Sequence, residues 1–261
     1  MRKAVFFDID GTLWNPATME ISDSTKEAIR LLKEKGHYTF ICSGRTKAFI
    51  KNEELLALGF DGIIAGCGTH VELAGKVLVH TIIEHKTLQN TFQILKKYKL
   101  VSVWEGTSYI YVDEENFSDK KFLKILKQGL GDDLLSITEH EHDCKINKFS
   151  TITKDVSMEP VFKELGIWYD FIIHNEKVME VVPKGYSKAS GIAAICEALN
   201  ISTKDTYAFG DSANDIEMLK YVGHGIAMGN GMEMAKEAAE YVTDGLEHDG
   251  IFNGLRHYGL I

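Results

Sequence analysis

Short apolar runs alternate with amphipathic segments along the first part of the chain. Three mainly apolar, β-rich runs predict strands at Ala4–Ile9, Tyr38–Cys42 and Gly62–Ala65. Between them we predict a helix that starts at a Ser24–Glu27 capping box and a second helix over Thr46–Leu58. Strands and helices that alternate at this spacing indicate a parallel sheet with right-handed crossovers.

The pattern changes after residue 70, where Val71–Leu73 and Val77–Ile82 flank an Ala74–Gly75 turn and predict a hairpin. The next stretch, to about Val182, mixes helices and strands: helices at Thr87–Tyr98, Phe117–Gln128 and Met158–Leu165, and strands at Val101–Trp104, Tyr109–Val112, Asn147–Thr153, Trp168–Ile173 and Val178–Val182. The α/β alternation then resumes with elements at Ser187–Leu199, Thr206–Phe209, Asn214–Tyr221, Gly225–Met228 and Met232–Ala239. We therefore predict an α/β core, a doubly wound parallel sheet, from residues 1–82 and 184–261, with an α+β domain inserted over residues 83–183.

Composition narrows the class of protein. The formal net charge of −9 over 261 residues argues against non-specific binding to nucleic acid or to anionic membranes. No apolar run approaches the length of a membrane span or of a signal-peptide core. The four cysteines lack CxxC spacing, which suits a reducing compartment. A soluble, cytoplasmic protein is expected.

The strongest chemical signal is Asp8-Ile9-Asp10-Gly11-Thr12, directly after the first strand. In an extended chain residues i and i+2 face the same side, so the Asp8 and Asp10 carboxylates can converge. They lie where open α/β sheets bind their ligands, and paired carboxylates favour a hard cation such as Mg²⁺. The alternative is an ordinary Asp-Gly turn after a strand.

Three weaker signals fall at other strand ends or helix starts of the same core. Gly210-Asp211-Ser212-Ala213-Asn214-Asp215 follows an apolar strand and offers metal or phosphate ligands, or simply a helix cap. Ser43-Gly44-Arg45 ends the second strand, and Lys188 begins a helix. Alone, these predict only a turn and a surface charge, but all can meet at one edge of one sheet. By contrast, Gly229-Asn230-Gly231 before a helix is interpreted as a turn and cap.

Taken in order, Asp8-x-Asp10-Gly11-Thr12, Ser43, Lys188 and Gly210-Asp211-x-x-Asn214-Asp215 resemble the four motifs of the haloacid dehalogenase-like superfamily of phosphatases. The long insertion between Ser43 and Lys188 is similar to the α/β cap of its Cof-type branch. The resemblance covers essentially the whole chain and implies a Rossmann-like core. One departure is Cys67, which stands where related sequences commonly carry Asn and is expected to alter the pocket rim.

The resemblance implies roles for these residues. Asp8 would be the nucleophile and Asp10 the general acid and base. Mg²⁺ would be held by Asp8, by Asp10 through its backbone carbonyl, and by Asp211, with Asp215 behind them. The phosphate would be bound by Thr12, Ser43, Gly44, Lys188 and Asn214.

The implied activity is hydrolysis of a small phosphate monoester through an aspartyl phosphate, with sugar phosphates the commonest substrates of the family. In the inserted domain, Trp104, Glu105 and the turn His174-Asn175-Glu176 are candidates for contact with the substrate. A phosphomutase on the same scaffold and a non-catalytic phosphate-binding module are the alternatives.

Overall fold

The computed structural model describes residues 2–117, 119–153, 156–174 and 178–261, and they form two compact units. The first unit takes in the residues up to Gly44, Lys51–Val79 and Ser187–Ile261. The second takes in Arg45–Ile50 and His80–Tyr186. Neither unit is therefore one continuous segment of the chain.

The first unit is built on an eight-stranded sheet. Its strands, in the order in which they neighbour one another, are β14 (Tyr241–Val242), β13 (His224–Ala227), β12 (Thr206–Gly210), β1 (Ala4–Phe7), β2 (Tyr38–Cys42), β3 (Gly62–Ala65), β4 (His70–Leu73) and β5 (Lys76–His80). Neighbours from β14 to β3 are parallel, and β4 runs antiparallel to β3. The predicted hairpin is confirmed as β4 and β5, whose turn residues Ala74 and Gly75 both have positive φ.

The α-helices found among the described residues are α1 (Asp23–Glu34), α2 (Glu53–Ala57), α3 (His85–Lys97), α4 (Lys120–Leu130), α5 (Ile137–His140), α6 (Glu159–Leu165), α7 (Lys188–Leu199), α8 (Ile216–Tyr221), α9 (Glu233–Ala238) and α10 (Gly250–His257). Within the described ranges, none has both the length and the apolar character that crossing a membrane would require.

Helices cover both faces of the parallel sheet. On one face, Phe6 of β1 packs with Ile192 of α7 and Met218 of α8. On the other, α10 approaches so closely that a Cβ on Gly254 would lie 2.7 Å from the Phe209 ring. Strand β1 is buried along its whole length, as its apolar sequence predicts for a central strand. The predicted doubly wound α/β class is confirmed.

Two predicted boundaries are wrong, and both errors come from side-chain caps. Thr46–Leu58 is not one helix: a 3₁₀ turn at Lys47–Phe49 comes first, and the Asn52 side chain then caps α2 by accepting from the Leu55 amide at 2.8 Å. Helix α1 is capped by Ser22 rather than Ser24, because the Ser22 hydroxyl accepts from the Thr25 amide at 3.2 Å.

The second unit contains a six-stranded sheet. Its order is β10 (Tyr169–Ile173), β11 (Val178–Pro183), β9 (Lys148–Ile152), β6 (Val101–Glu105), β7 (Ile110–Val112) and β8 (Leu134–Ser136). Only the β7–β8 pair is parallel among these described strands. Strand β8 and the short helix α5 were not predicted, because elements of three or four residues are too short to show a hydrophobic period.

Candidate active site

The candidate site lies at the carboxyl ends of β1 and β12. These strands are neighbours, and the chain winds outwards from them in opposite directions, towards β2 on one side and β13 on the other. Such a reversal opens a crevice where doubly wound sheets bind ligands. Asp8 follows β1 and Asp211 follows β12, and the Asp8 amide donates to the Phe209 carbonyl at 3.0 Å. Parallel pairing thus brings together two acidic residues that are distant in sequence.

Lys188 ties this edge of the sheet to the start of α7. Its Nζ donates to Asp8 Oδ1 and to Asp215 Oδ1, each at 2.6 Å, and its side chain is wholly buried. A cation at the first turn of a helix opposes the helix dipole, so the position is unfavourable without anionic partners. The two carboxylates supply that compensation. Lys188 is therefore an element of the site and not a solvated surface charge.

The loop after β12 is held together by Asp215. Its Oδ2 accepts from the amides of Asp211 and Ser212, both at 2.9 Å, which closes a capping box at the start of the following helical turn. Asp211 in turn accepts from the Thr12 hydroxyl at 2.9 Å. The two acidic loops are thus joined by side-chain bonds as well as by the sheet.

Burial and mutual repulsion perturb these groups. Burial, together with the neighbouring Asp215 and Asp211 carboxylates, raises the pKa of Asp8 well above its usual range, although Lys188 opposes the shift. Burial and the proximity of Asp215 raise the pKa of Asp211 to about 7. Burial lowers the pKa of Lys188, but Asp215 and Asp8 outweigh it, and the net pKa is raised well above the usual value. Burial and mutual repulsion therefore outweigh the single Lys188 charge and favour protonation of Asp8 and Asp211 when no cation is bound.

The donor set at this edge fits a divalent metal ion. Carboxylate oxygens of Asp8, Asp211 and Asp215 lie within 4.8 Å of one another, in a group identified among the described residues. Oxygen ligands and excess negative charge are what hard divalent cations require. The carboxylate of Asp10 is not a member of that group.

Asp10 faces a cavity beside the carboxylate group. Its Oδ1 accepts from the indole N–H of Trp14 at 2.9 Å, and Asp10 and Asp211 line the same cavity of about 710 Å³. The sequence interpretation missed Trp14, since an indole four residues after Asp10 carries no signal of its own. The bond fixes the direction in which the Asp10 carboxyl points.

The remaining predicted residues lie at neighbouring strand or helix ends. Ser43 and Gly44 follow β2, which is adjacent to β1, and Ser43 is buried. Asn214 accepts from the Ser212 hydroxyl at 3.1 Å within the loop after β12. The fold therefore brings all three to the edge of the sheet at which the carboxylates and Lys188 meet.

Cys67 is buried rather than at an exposed rim. Its φ of +53° lies in the left-handed region, and its amide donates to the Ser43 carbonyl at 3.1 Å. Asn, which the family resemblance leads us to expect here, tolerates this backbone conformation better than most residues do. Cys67 therefore adopts, next to Ser43, a backbone conformation that is costly for most residues other than glycine.

The second unit contains a buried network of charges. Lys148 Nζ donates to Glu105 at 3.0 Å and to Glu180 at 3.1 Å. The Ser150 hydroxyl donates to Glu105 at 2.6 Å, and His174 Nε2 pairs with Glu180 at the same separation. Glu105 and His174, expected to contact substrate, are thus bound within their own unit.

The other residues of this unit that were expected to contact substrate are Trp104, Asn175 and Glu176. Trp104 is buried in the apolar core of the unit, with its ring centroid 4.5 Å from that of Phe92 and 4.6 Å from that of Phe149. Asn175 and Glu176, the other two residues of the expected turn, lie outside the described residues.

Comparison with known proteins places this geometry in a family. A model of the haloacid dehalogenase-like hydrolases matches residues 5–255. The chain is 30% identical to YkrA of Bacillus subtilis (strain 168), over 99% of this chain and 98% of that protein. It is also 30% identical to the 5-amino-6-(5-phospho-D-ribitylamino)uracil phosphatase YcsE of the same organism, over 99% of this chain and 96% of the relative.

A solved structure gives the same result. BT4131, described as a sugar phosphatase of subclass IIB of this superfamily, is 29% identical, with a TM-score of 0.85 and coverage of 99% of this chain and 100% of BT4131. The order of the motifs, the core sheet and the acidic edge agree with this assignment. The chain therefore belongs to the haloacid dehalogenase-like hydrolase family, as a Cof-type phosphatase.

Proposed function

We propose that the chain is a Mg²⁺-dependent phosphatase that hydrolyses a small phosphate monoester through an aspartyl phosphate on Asp8. The observation that carries the proposal is the buried Asp8 carboxylate, which accepts a hydrogen bond from Lys188 and lies close to Asp211 at the carboxyl ends of β1 and β12. A carboxylate so placed can act as a nucleophile while its neighbours bind an anionic substrate.

The reaction has two displacements. In the first, an Asp8 oxygen forms a bond to phosphorus as the bond to the ester oxygen breaks, and Asp10 gives its proton to the departing oxygen. In the second, Asp10 takes a proton from water, whose oxygen attacks phosphorus, so that inorganic phosphate leaves and the Asp8 carboxylate is restored. The bond from Trp14 to Asp10 supports this role because it orients the carboxyl.

The cation would be bound by the carboxylates of Asp8 and Asp211 and by the backbone carbonyl of Asp10. Bound there, it supplies positive charge that reduces repulsion between the nucleophile and the phosphate. Asp215 plays a different part, because its two oxygens are engaged by Lys188 and by the amides of its own loop. Asp215 therefore positions Lys188 and Asp211.

Phosphoryl oxygens are proposed to be bound by Lys188, Ser43, Gly44 and Asn214. Lys188 has three N–H donors, of which Asp8 and Asp215 engage two, so one donor can reach the substrate. Thr12 belongs to the proposed set as well, but its hydroxyl already donates to Asp211. A Thr12 side-chain contact with phosphate would require that bond to be exchanged.

The substrate is proposed to be the phosphate ester of a small polyhydroxylated molecule, a sugar phosphate or a close analogue. The names of two relatives support this class: one is a sugar phosphatase, and the other acts on a phosphoribityl compound. The inserted domain, residues 83–183, is proposed to act as the cap that selects among such substrates. The four cysteines, all buried and in the thiol form, favour a reducing compartment, and we propose the cytoplasm.

The test is the variant Asp8→Asn, assayed with Mg²⁺ on p-nitrophenyl phosphate and on a panel of sugar phosphates, nucleotides and flavin mononucleotide. We expect phosphate release by the natural protein, none by the variant, and full release by Asp23→Asn, which changes an exposed carboxylate. Mass spectrometry after acid quenching should find phosphate on the peptide that contains Asp8. Activity retained by Asp8→Asn would overturn the mechanism, and sugar-phosphate interconversion without phosphate release would indicate a mutase.

A further inference from the structure

The turn after β13 reaches both acidic loops of the candidate site. Asn230 Nδ2 donates to the Gly11 carbonyl at 2.8 Å, and Asn230 Oδ1 accepts from the Leu246 amide at 2.8 Å. Two residues further on, the Met232 amide donates to the Asp211 carbonyl at 2.7 Å. One short segment thus holds the loop after β1, the loop after β12 and the loop that precedes α10.

The Gly-Asn-Gly sequence follows from these approaches. A Cβ on Gly231 would lie 2.9 Å from the Asp211 carbonyl oxygen, and one on Gly229 would lie 2.7 Å from the Gly245 nitrogen. At both positions the nearest atom belongs to the backbone, so a Cβ this close would force a loop to shift. The glycines therefore let the backbone come close on both sides, and the residue between them has a side chain long enough to reach the neighbouring loops.

An amide side chain suits this position because it must donate in one direction and accept in the other. The Gly11 carbonyl needs a donor, and the Leu246 amide needs an acceptor. Asn offers both on a short side chain, whereas Asp offers acceptors only when ionised. Its two bonds cross 219 and 16 residues of sequence, respectively.

We propose that Asn230 is a positioning residue for the phosphatase site. Its bond holds the Gly11 peptide, and thereby the adjacent Asp10, against the Asp211 loop. Asn230 would then set the distance between Asp10, the proposed acid and base, and the Asp211 carboxylate that would bind the cation. This inference rests on the proposed function, because it concerns the same site.

Asn230→Ala removes both bonds and leaves the glycines in place. Loss of a partner that orients metal ligands typically lowers metal affinity or activity about 10–100-fold, so we expect the dissociation constant for Mg²⁺ to rise by about that factor. We expect kcat to fall more than KM rises, because a misplaced Asp10 impairs proton transfer more than binding. Asn230→Asp should behave like the alanine variant, since it retains the acceptor for Leu246 but loses the donor to Gly11.

Asn253→Ala is the matched control. Asn253 is bonded to Asp244 at 2.9 Å and to the His248 carbonyl at 3.2 Å, so it braces the same loop before α10. Both of these bonds stay within the segment from Asp244 to Asn253 and do not reach the loop after β1. The control should therefore leave Mg²⁺ binding unchanged, and the Tm of both variants shows whether a general loss of stability accounts for any effect.

Calorimetric titration with Mg²⁺ alone separates the outcomes without relying on turnover. An Asn230→Ala protein that binds Mg²⁺ within about twofold of the natural protein, or no more weakly than Asn253→Ala does, overturns the positioning role. A natural protein that binds no Mg²⁺ and releases no phosphate overturns the proposed function instead. The two failures are thus distinguishable.

Discussion

Replacing Lys188 by Met should destabilise the metal-free protein and make its stability strongly dependent on pH. The Lys188 side chain is wholly buried and donates to Asp8 and to Asp215 at 2.6 Å. Removing one partner of a buried ion pair leaves uncompensated charge and commonly costs about 3–5 kcal/mol of the free energy of unfolding. Met keeps most of the volume, so a cavity contributes little to this value.

The sign of the pH dependence follows from Asp8. Burial and the neighbouring carboxylates raise the pKa of Asp8 in the folded protein, whereas the unfolded chain has an ordinary value of about 3.9. Between these values the folded state binds more protons, so its stability falls as pH rises. Without Lys188 the folded-state pKa rises further, and the variant should regain stability as pH falls towards about 5.5.

Urea denaturation followed by circular dichroism, in the presence of a chelator at about pH 8 and about pH 5.5, measures both effects. The control is Lys220→Met at an exposed lysine, for which we expect a change within about 0.5 kcal/mol. If Lys188→Met lowered the free energy of unfolding by less than about 1 kcal/mol, or by the same amount at the two pH values, this account of the buried charges would be refuted.

Substitutions at two other places in the molecule, each with a matched comparison, test other contacts. Lys148→Met in the second unit should lower the free energy of unfolding by about 3–5 kcal/mol in the same assay, because it leaves the buried carboxylates of Glu105 and Glu180 without their lysine partner. Glu105→Gln should lower the free energy of unfolding much less, because burial raises the pKa of Glu105 and so makes the neutral form less costly. If Glu105→Gln were the less stable of the two variants, this account of the charge network would be wrong. Gly11→Ala should weaken Mg²⁺ binding in calorimetry, since φ is +83° and the added Cβ would lie 2.5 Å from Asp211 Oδ2. Gly36→Ala is its control, with φ at +79° and open space around the Cβ; equal Mg²⁺ affinities would show that the close approach does not matter.

The sequence predicts the parts of the site that depend on strand ends. Asp8 and Asp211 each follow a buried apolar strand, and parallel pairing then brings them to one edge. Lys188 is different, because a lysine at a helix start has no distinguishing pattern. Only the order of motifs shared with the family indicated it, 180 residues away from Asp8.

The hydrogen bonds made by loop residues could not be predicted from the sequence pattern. The Asn230–Gly11 bond and the Trp14–Asp10 bond depend on turn geometry that neither hydrophobic period nor residue type encodes. Caps caused the boundary errors for the same reason: Ser22 and Asn52 each compete locally with a neighbouring candidate. Short edge elements such as β14, with two residues, are fixed by their neighbours in the sheet.

The position of β1 between β2 and β12 has a consequence for folding during synthesis. Ala4 pairs with Tyr38 on one side but with Thr206 on the other, so one edge of the central strand has no partner until the C-terminal part of the chain emerges from the ribosome. All six strands of the second sheet lie between Val101 and Pro183, so they can pair earlier. Because long-range parallel pairing is slow, completion of the first unit, and with it assembly of the acidic edge, should be the last step of folding.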